Sequence, residues 1–214
     1  MTEKFHKELA QLVMNVVEMG HLAKEMMEKA VNDLKNQTPD MEWFEEKKRL
    51  ITEMDERIEV KALQLVALHQ PMARDLREIA ASLKIITYIT RIGMYAKDIS
   101  KISEILGREP HIAKLVSIPH MAQLVIQMLD DALGAFERKD VSNLNACWER
   151  DDAVDQLLEN IIRESITYML EDPKNINRCM RYIMVARYLE RCGDHACKMA
   201  EKIYYMVTGE RKER

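Results

Sequence analysis

The chain has 214 residues, 47% of them hydrophobic, which is enough to bury a core, or two small ones, without disulfide support. A formal charge of −4 and a pI near 5.9 argue against broad attraction to nucleic acid or anionic lipid, since phosphate binders cluster excess Lys and Arg. Only six glycines and five prolines are available for turns, while Ala, Leu, Ile, Met, Glu, Lys and Arg dominate, so the chain reads as all-α.

The first predicted element is a long bundle helix. Phe5, Leu9, Leu12, Val16, Met19, Ala23, Met26 and Ala30 recur at alternating steps of four and three, a seam sustained over about four heptads. A second helix is predicted from Met41 to His69. It breaks at Gln70-Pro71, because proline is tolerated in the first turn of a new helix and not inside an old one. The third helix carries Asp75 through Leu106 and stops at Gly107; Pro110 and Pro119 punctuate the junction that follows. The amino terminus, MTEKFHKELA, shows no signal pattern, and no apolar run approaches the roughly 20 residues of a membrane span, so a cytosolic protein is expected. The sixteen methionines read as adaptable core packing, and Cys147, Cys179, Cys192 and Cys197 as reduced, mostly buried thiols.

Beyond the junction the plan repeats. LAQLV at 9–13 is answered by MAQLV at 121–125, Asp55 with Glu59 by Asp151 with Asp155, Pro71 by Pro173, and Arg91-Ile-Gly93 by Arg191-Cys-Gly193. A tandem duplication of a three-helix unit is expected, with the boundary near 107–119 and the units at 1–110 and 111–214. Gly93 and Gly193 fall in mid-helix, where each costs about 1 kcal/mol relative to Ala, and close approach of a neighbouring helix is the expected compensation.

The second unit carries acids that its twin lacks. Asp151 with Asp155, and Glu190 with Asp194, are two pairs spaced four apart, each projecting two carboxylates from one helical face. A solvated acidic stripe accounts for any single pair. Two pairs on adjacent helices of a hairpin bring together four hard oxygen donors, which suit Fe, Mn, Mg, Ca or, less well, Zn. Glu18 and His21 form a single E-x-x-H read as a surface pair; His195 points about 100° away from Asp194 around its helix, and Cys197 reads as a structural thiol. There is no G-x-S-x-G, P-loop or G-x-G-x-x-G from which to start a hydrolase, NTPase or dinucleotide reading.

The strings LHQPMARDLREIAASLKII at 68–86 and ARYLERCGDHACKMAEKI at 186–203, set in a tandem three-helix repeat, resemble the PhoU family of phosphate-uptake regulators over nearly the whole chain. The resemblance implies an all-α fold of two three-helix bundles and a non-enzymatic, negative regulatory role. It implies as partners a phosphate ABC transporter, through its nucleotide-binding subunit, and in many bacteria a sensor histidine kinase, with a homodimer as the assembly. It also implies multinuclear iron or zinc clusters held by acid pairs, here Asp151, Asp155, Glu190 and Asp194 in the second repeat. In the first repeat Asp55 and Glu59 survive, but Thr90 and Met94 stand where the partner acids belong, so that site is expected to be degenerate, with Asp98 one turn beyond. A carboxylate-bridged metal oxidase or hydrolase, and a passive metal-binding scaffold, are the competing expectations.

Overall fold

The computed structural model describes residues 3–107, 110–113 and 115–212. Among these residues there are six long helices and no strand: α1 Glu3–Asn36, α2 Met41–His69, α3 Ala73–Leu106, α4 Ser117–Arg138, α5 Asn145–Glu171 and α6 Ile176–Thr208. The break expected at Gln70-Pro71 is present. Asp40 caps α2 by accepting from the Trp43 amide, and α2 ends as Gln70 turns into the left-handed region at φ 47°. Pro173 opens a one-turn 3₁₀ helix, Pro173–Asn175, between α5 and α6.

Helices α1, α2 and α3 pack on one another, as do α4, α5 and α6, giving the two expected three-helix units. The units are not separate bodies, because α1 also packs on α4 and α3 on α6. The four helices α1, α3, α6 and α4 thus close a ring around one continuous core, with α2 laid outside α1 and α3, and α5 outside α4 and α6. Every residue of the predicted α1 seam is buried, but so is a second stripe: Val13, Val17, Gly20, Met27, Val31 and Leu34. That stripe faces α4, where a Cβ built on Gly20 would run into the Leu133 side chain and where Lys24 Nζ donates to Asp130 at 2.6 Å. The junction segment is pinned to both units: His111 bonds the Leu34 carbonyl and the Tyr182 hydroxyl, each at 3.0 Å, and Arg178 donates to the Pro110 carbonyl at 2.7 Å.

Helices α3 and α6 run antiparallel, and their seam carries a stack of rings. Tyr88 lies on His195 (centroids 5.7 Å apart), His195 on Tyr95 (5.9 Å) and Tyr95 on Tyr188 (5.6 Å). Exchanging each residue for the one 100 positions away turns the Tyr88–His195 contact into Tyr188–Tyr95, so the repeats are related by a pseudo-two-fold axis through this stack.

The same shift fixes the internal register and corrects two of the sequence pairings. Ile51, Met54, Ile58 and Leu65 of α2 are buried, as are Asp151, Val154, Leu158 and Ser165, 100 residues later in α5. Ile89, Ile92 and Gly93 correspond likewise to Leu189, Cys192 and Gly193. In α1 and α4 the shift is 102, matching Val16, Met19, Ala23 and Met26 to Ile118, Met121, Val125 and Met128. The LAQLV and MAQLV strings are therefore not equivalent, being about three turns out of register. The counterpart of Asp155 is Asp55, and that of Asp151 is Ile51, one turn from the expected match. The four-residue slip between the acids turns the helix face by only about 40°, which is why spacing alone does not detect it.

Candidate functional site: an acidic cluster on the second hairpin

Helices α5 and α6 form an antiparallel hairpin on which all four predicted acids lie. Asp151 is only 6% exposed, and its Oδ1 lies 3.4 Å from the position a Cβ would take on Gly193, so the bare Cα of α6 faces this carboxylate. Met128 and Val154 approach the same position at 3.6 Å. These are ordinary contact distances, unlike the 2.7 Å between a Cβ on Gly93 and Ile51 Cδ1. Close helix approach therefore accounts for Gly93 more strongly than for Gly193, where the glycine makes room beside an acid.

Glu190 and Asp194 stand on α6, half-buried, and Asp155 on α5 is exposed. Burial pushes the Glu190 carboxyl above its ordinary value of 4.5; Arg187, 3.9 Å away, pulls it back, and the charges of Asp194 and Asp155 push it further up. Three of the four acids thus share one field. An acid with a raised folded-state value contributes stability below its unfolded value and loses it as pH rises through the folded one. Glu190→Gln is accordingly expected to raise the melting temperature at pH 7.5 in chelator, with the gain vanishing near pH 4. A gain that persists at pH 4 would mean that charge is not its source.

In the first hairpin the corresponding place is wired differently. Thr90 Oγ1 donates to Asp55 Oδ1 at 3.0 Å, Ile51 fills the position of Asp151 and is fully buried, and Met94 stands where Asp194 does. Glu59 is exposed, and Asp98 is engaged by Lys101 at 3.3 Å. One acid of four remains there, fewer than the two that the sequence pairing assigned.

The other candidates fall into place around this site. Glu18 and His21 are both exposed on α1. His195 faces α3, stacked on Tyr88 and Tyr95, away from the acids. All four cysteines are free and buried, Cys147 and Cys197 lying with their sulfurs 3.8 Å apart beneath the acidic hairpin. No helix among the described residues is long and apolar enough to cross a membrane.

The donor chemistry of the second hairpin fits a hard or borderline cation: four carboxylates, one of them buried and one, Glu190, raised above its ordinary value by burial first and by Asp194 and Asp155 after it. Among the described residues, however, no three His, Cys, Asp or Glu side chains converge as placed to ligand geometry.

The description PhoU domain matches twice, at residues 16–103 and 118–203. The two matches begin 102 and end 100 residues apart, the same two shifts that burial assigns. A protein of Caulobacter vibrioides described as a phosphate-specific transport system accessory protein PhoU homolog is 37% identical over 97% of this chain and 91% of its own length. A homolog of the same description from Aquifex aeolicus is 35% identical, covering 97% and 94%. The crystal structure of PhoU from Pseudomonas aeruginosa superposes with a TM-score of 0.90 at 32% identity, over 96% of this chain and all of that one.

Proposed function

The chain belongs to the PhoU family, and from that premise we propose that it is an accessory regulator of phosphate transport, a helical adaptor that restrains uptake when phosphate is plentiful. The observation that supports this most is the likeness, across both repeats and nearly the full length, to proteins described as accessory to the phosphate-specific transport system. Its output is a change in a partner's activity rather than turnover of a substrate. The partner is the nucleotide-binding subunit of a phosphate ABC transporter, joined by a sensor histidine kinase in cells that have one. Such an adaptor works in the cytoplasm, reaches the membrane only through its partners, and pairs as a homodimer.

In this reading the second hairpin holds iron or zinc through Asp151, Asp155, Glu190 and Asp194. The cation supplies positive charge to a patch that is otherwise acidic, changing which partner surface is complementary to it. The protein's own contribution is placement: Gly193 admits Asp151 beside α6, and Arg187 keeps Glu190 on the hairpin face.

A strain lacking the protein should over-accumulate phosphate, and purified protein should bind the nucleotide-binding subunit in a salt-sensitive manner, more weakly after Glu190→Ala with Asp194→Ala. Metal-dependent turnover of a small substrate, abolished by those substitutions and accompanied by no transporter binding, would overturn the adaptor reading.

A further inference from the structure

A cavity of about 400 Å³ opens between the start of α3, the end of α6 and the residues after it, beginning about two turns along α6 from the acidic cluster. Its lining brings five cations together, Arg77, Lys84, Lys202, Arg211 and Lys212, against one acid, Glu201. This is notable in a chain with 36 acidic and 32 basic residues, because a mixed surface would pair most of them. Elsewhere it does: Lys24 with Asp130, Lys61 with Glu8, Lys97 with Glu45, and Arg150 with Asp131. Among the described residues, no such carboxylate pairing involves Arg77, Lys84, Lys202 or Arg211.

The lining is also partly fixed. Arg77 Nε donates to the Met206 carbonyl at 3.4 Å, and its guanidinium carbon lies 3.6 Å from where a Cβ of Gly209 would be, so its fork is held at the last turn of α6. Lys212 is held over the Trp148 ring, 3.7 Å from the centroid, and donates to Asn145. Tyr205 contributes an aromatic wall that is 40% exposed.

The duplicated scaffold provides an internal control. At the other end of the α3–α6 seam, the positions equivalent to Lys84 and Lys202 carry Met184 and Ile102, while those equivalent to Ala81 and Glu201 carry Arg181 and Lys101. The helices place two cations at that end as well, and this end is set apart by the Lys84 and Lys202 pair together with Arg211 and Lys212 from the residues after α6.

We infer that this cavity is a binding site for a soluble polyphosphorylated anion, one carrying two or more linked phosphoryl groups. Guanidinium forks and ammonium groups donate to phosphoryl oxygens in charge-assisted bonds. Five cations spread around some 400 Å³ exceed what one orthophosphate can engage, and the volume falls within the range of small-ligand sites. The inference does not rest on the regulatory reading, and its failure would leave that reading untouched.

Calorimetric titration with tripolyphosphate at low salt tests it. Lys84→Gln with Lys202→Gln, which spares the Arg77 bond to α6, should weaken binding by roughly tenfold or more. Arg49→Gln with Arg57→Gln, which removes the same charge from the exposed face of α2, should weaken it by less than about twofold. Equal losses in the two variants would reduce the effect to net charge and overturn the inference, as would no saturable binding below about 1 mM, the weak end of small-ligand affinity. Binding to phosphatidylglycerol vesicles without binding to tripolyphosphate would assign the cations to a membrane surface and overturn it too. A fluorescence change confined to Trp148, read in a Trp43→Phe background, is expected on binding because Lys212 covers that ring.

Discussion

Ile51→Asp should cost the fold about 3–5 kcal/mol, the range for a charge buried without a partner. Ile51 is fully buried, its Cδ1 lies against Gly93, and Met26 sulfur is the next atom that a Cβ there would meet, so a carboxylate at this position enters an apolar pocket. The same substitution would write into the first hairpin the residue that the second carries at 151. It differs in outcome because Thr90, bonded to Asp55, and Met94 leave a cation too few ligands to offset the burial. Urea unfolding is the measurement: the midpoint should fall with little change in slope. Adding Thr90→Glu and Met94→Asp should restore stability only when iron or zinc is supplied, since a ligand that binds the folded state alone stabilises it by mass action. A loss below about 1 kcal/mol from Ile51→Asp would show that the pocket around position 51 offers the charge water or a partner, and would overturn the account of it as apolar.

Bound metal should follow the second repeat. In protein purified without a histidine tag, Glu190→Ala with Asp194→Ala is expected to remove most of the iron or zinc found by elemental analysis. Asp55→Ala with Glu59→Ala should remove little, because Asp55 is engaged by Thr90 and Glu59 lies out in solvent. Helicity should be almost unchanged in both, as relief of like-charge repulsion offsets lost ion contacts. Equal losses from the two double variants would contradict a site confined to the second hairpin.

Helix identity and ends were legible in the sequence because they depend on local chemistry. The seam of α1 from Phe5 to Ala30 is buried throughout, and α2 runs from Met41 to His69 as predicted, ending at the Gln70-Pro71 break. The ring of four helices was not legible. Val13, Val17, Gly20 and Met27 form a second apolar stripe on α1 whose partner, α4, is more than 80 residues away, and periodicity reports a buried face without naming what covers it. The acids were found, but their register was not: pairing Asp55 with Asp151 nearly preserves helix face and spacing, and it takes the burial patterns of α2 and α5, with the contacts of Gly93 with Ile51 and Gly193 with Asp151, to separate the two alignments. The cationic cavity was not legible because Arg77 and Lys84 of α3 meet Lys202, Arg211 and Lys212 from more than 110 residues later, and the basic pair Arg211-Lys212 alone does not name its partners.

The stack of Tyr88, His195, Tyr95 and Tyr188 sits where the two repeats meet, and it makes that seam observable without a label. An imidazole held between two phenol faces has its carbon-bound protons inside the shielding cones of both rings, so the His195 resonances should stand upfield of those of the exposed His21. Ring currents fall off steeply with distance, and a sliding of α3 along α6 by a fraction of a turn would move His195 out of register with its neighbours. A single proton signal therefore reports whether a partner or ligand shifts one half of the molecule against the other.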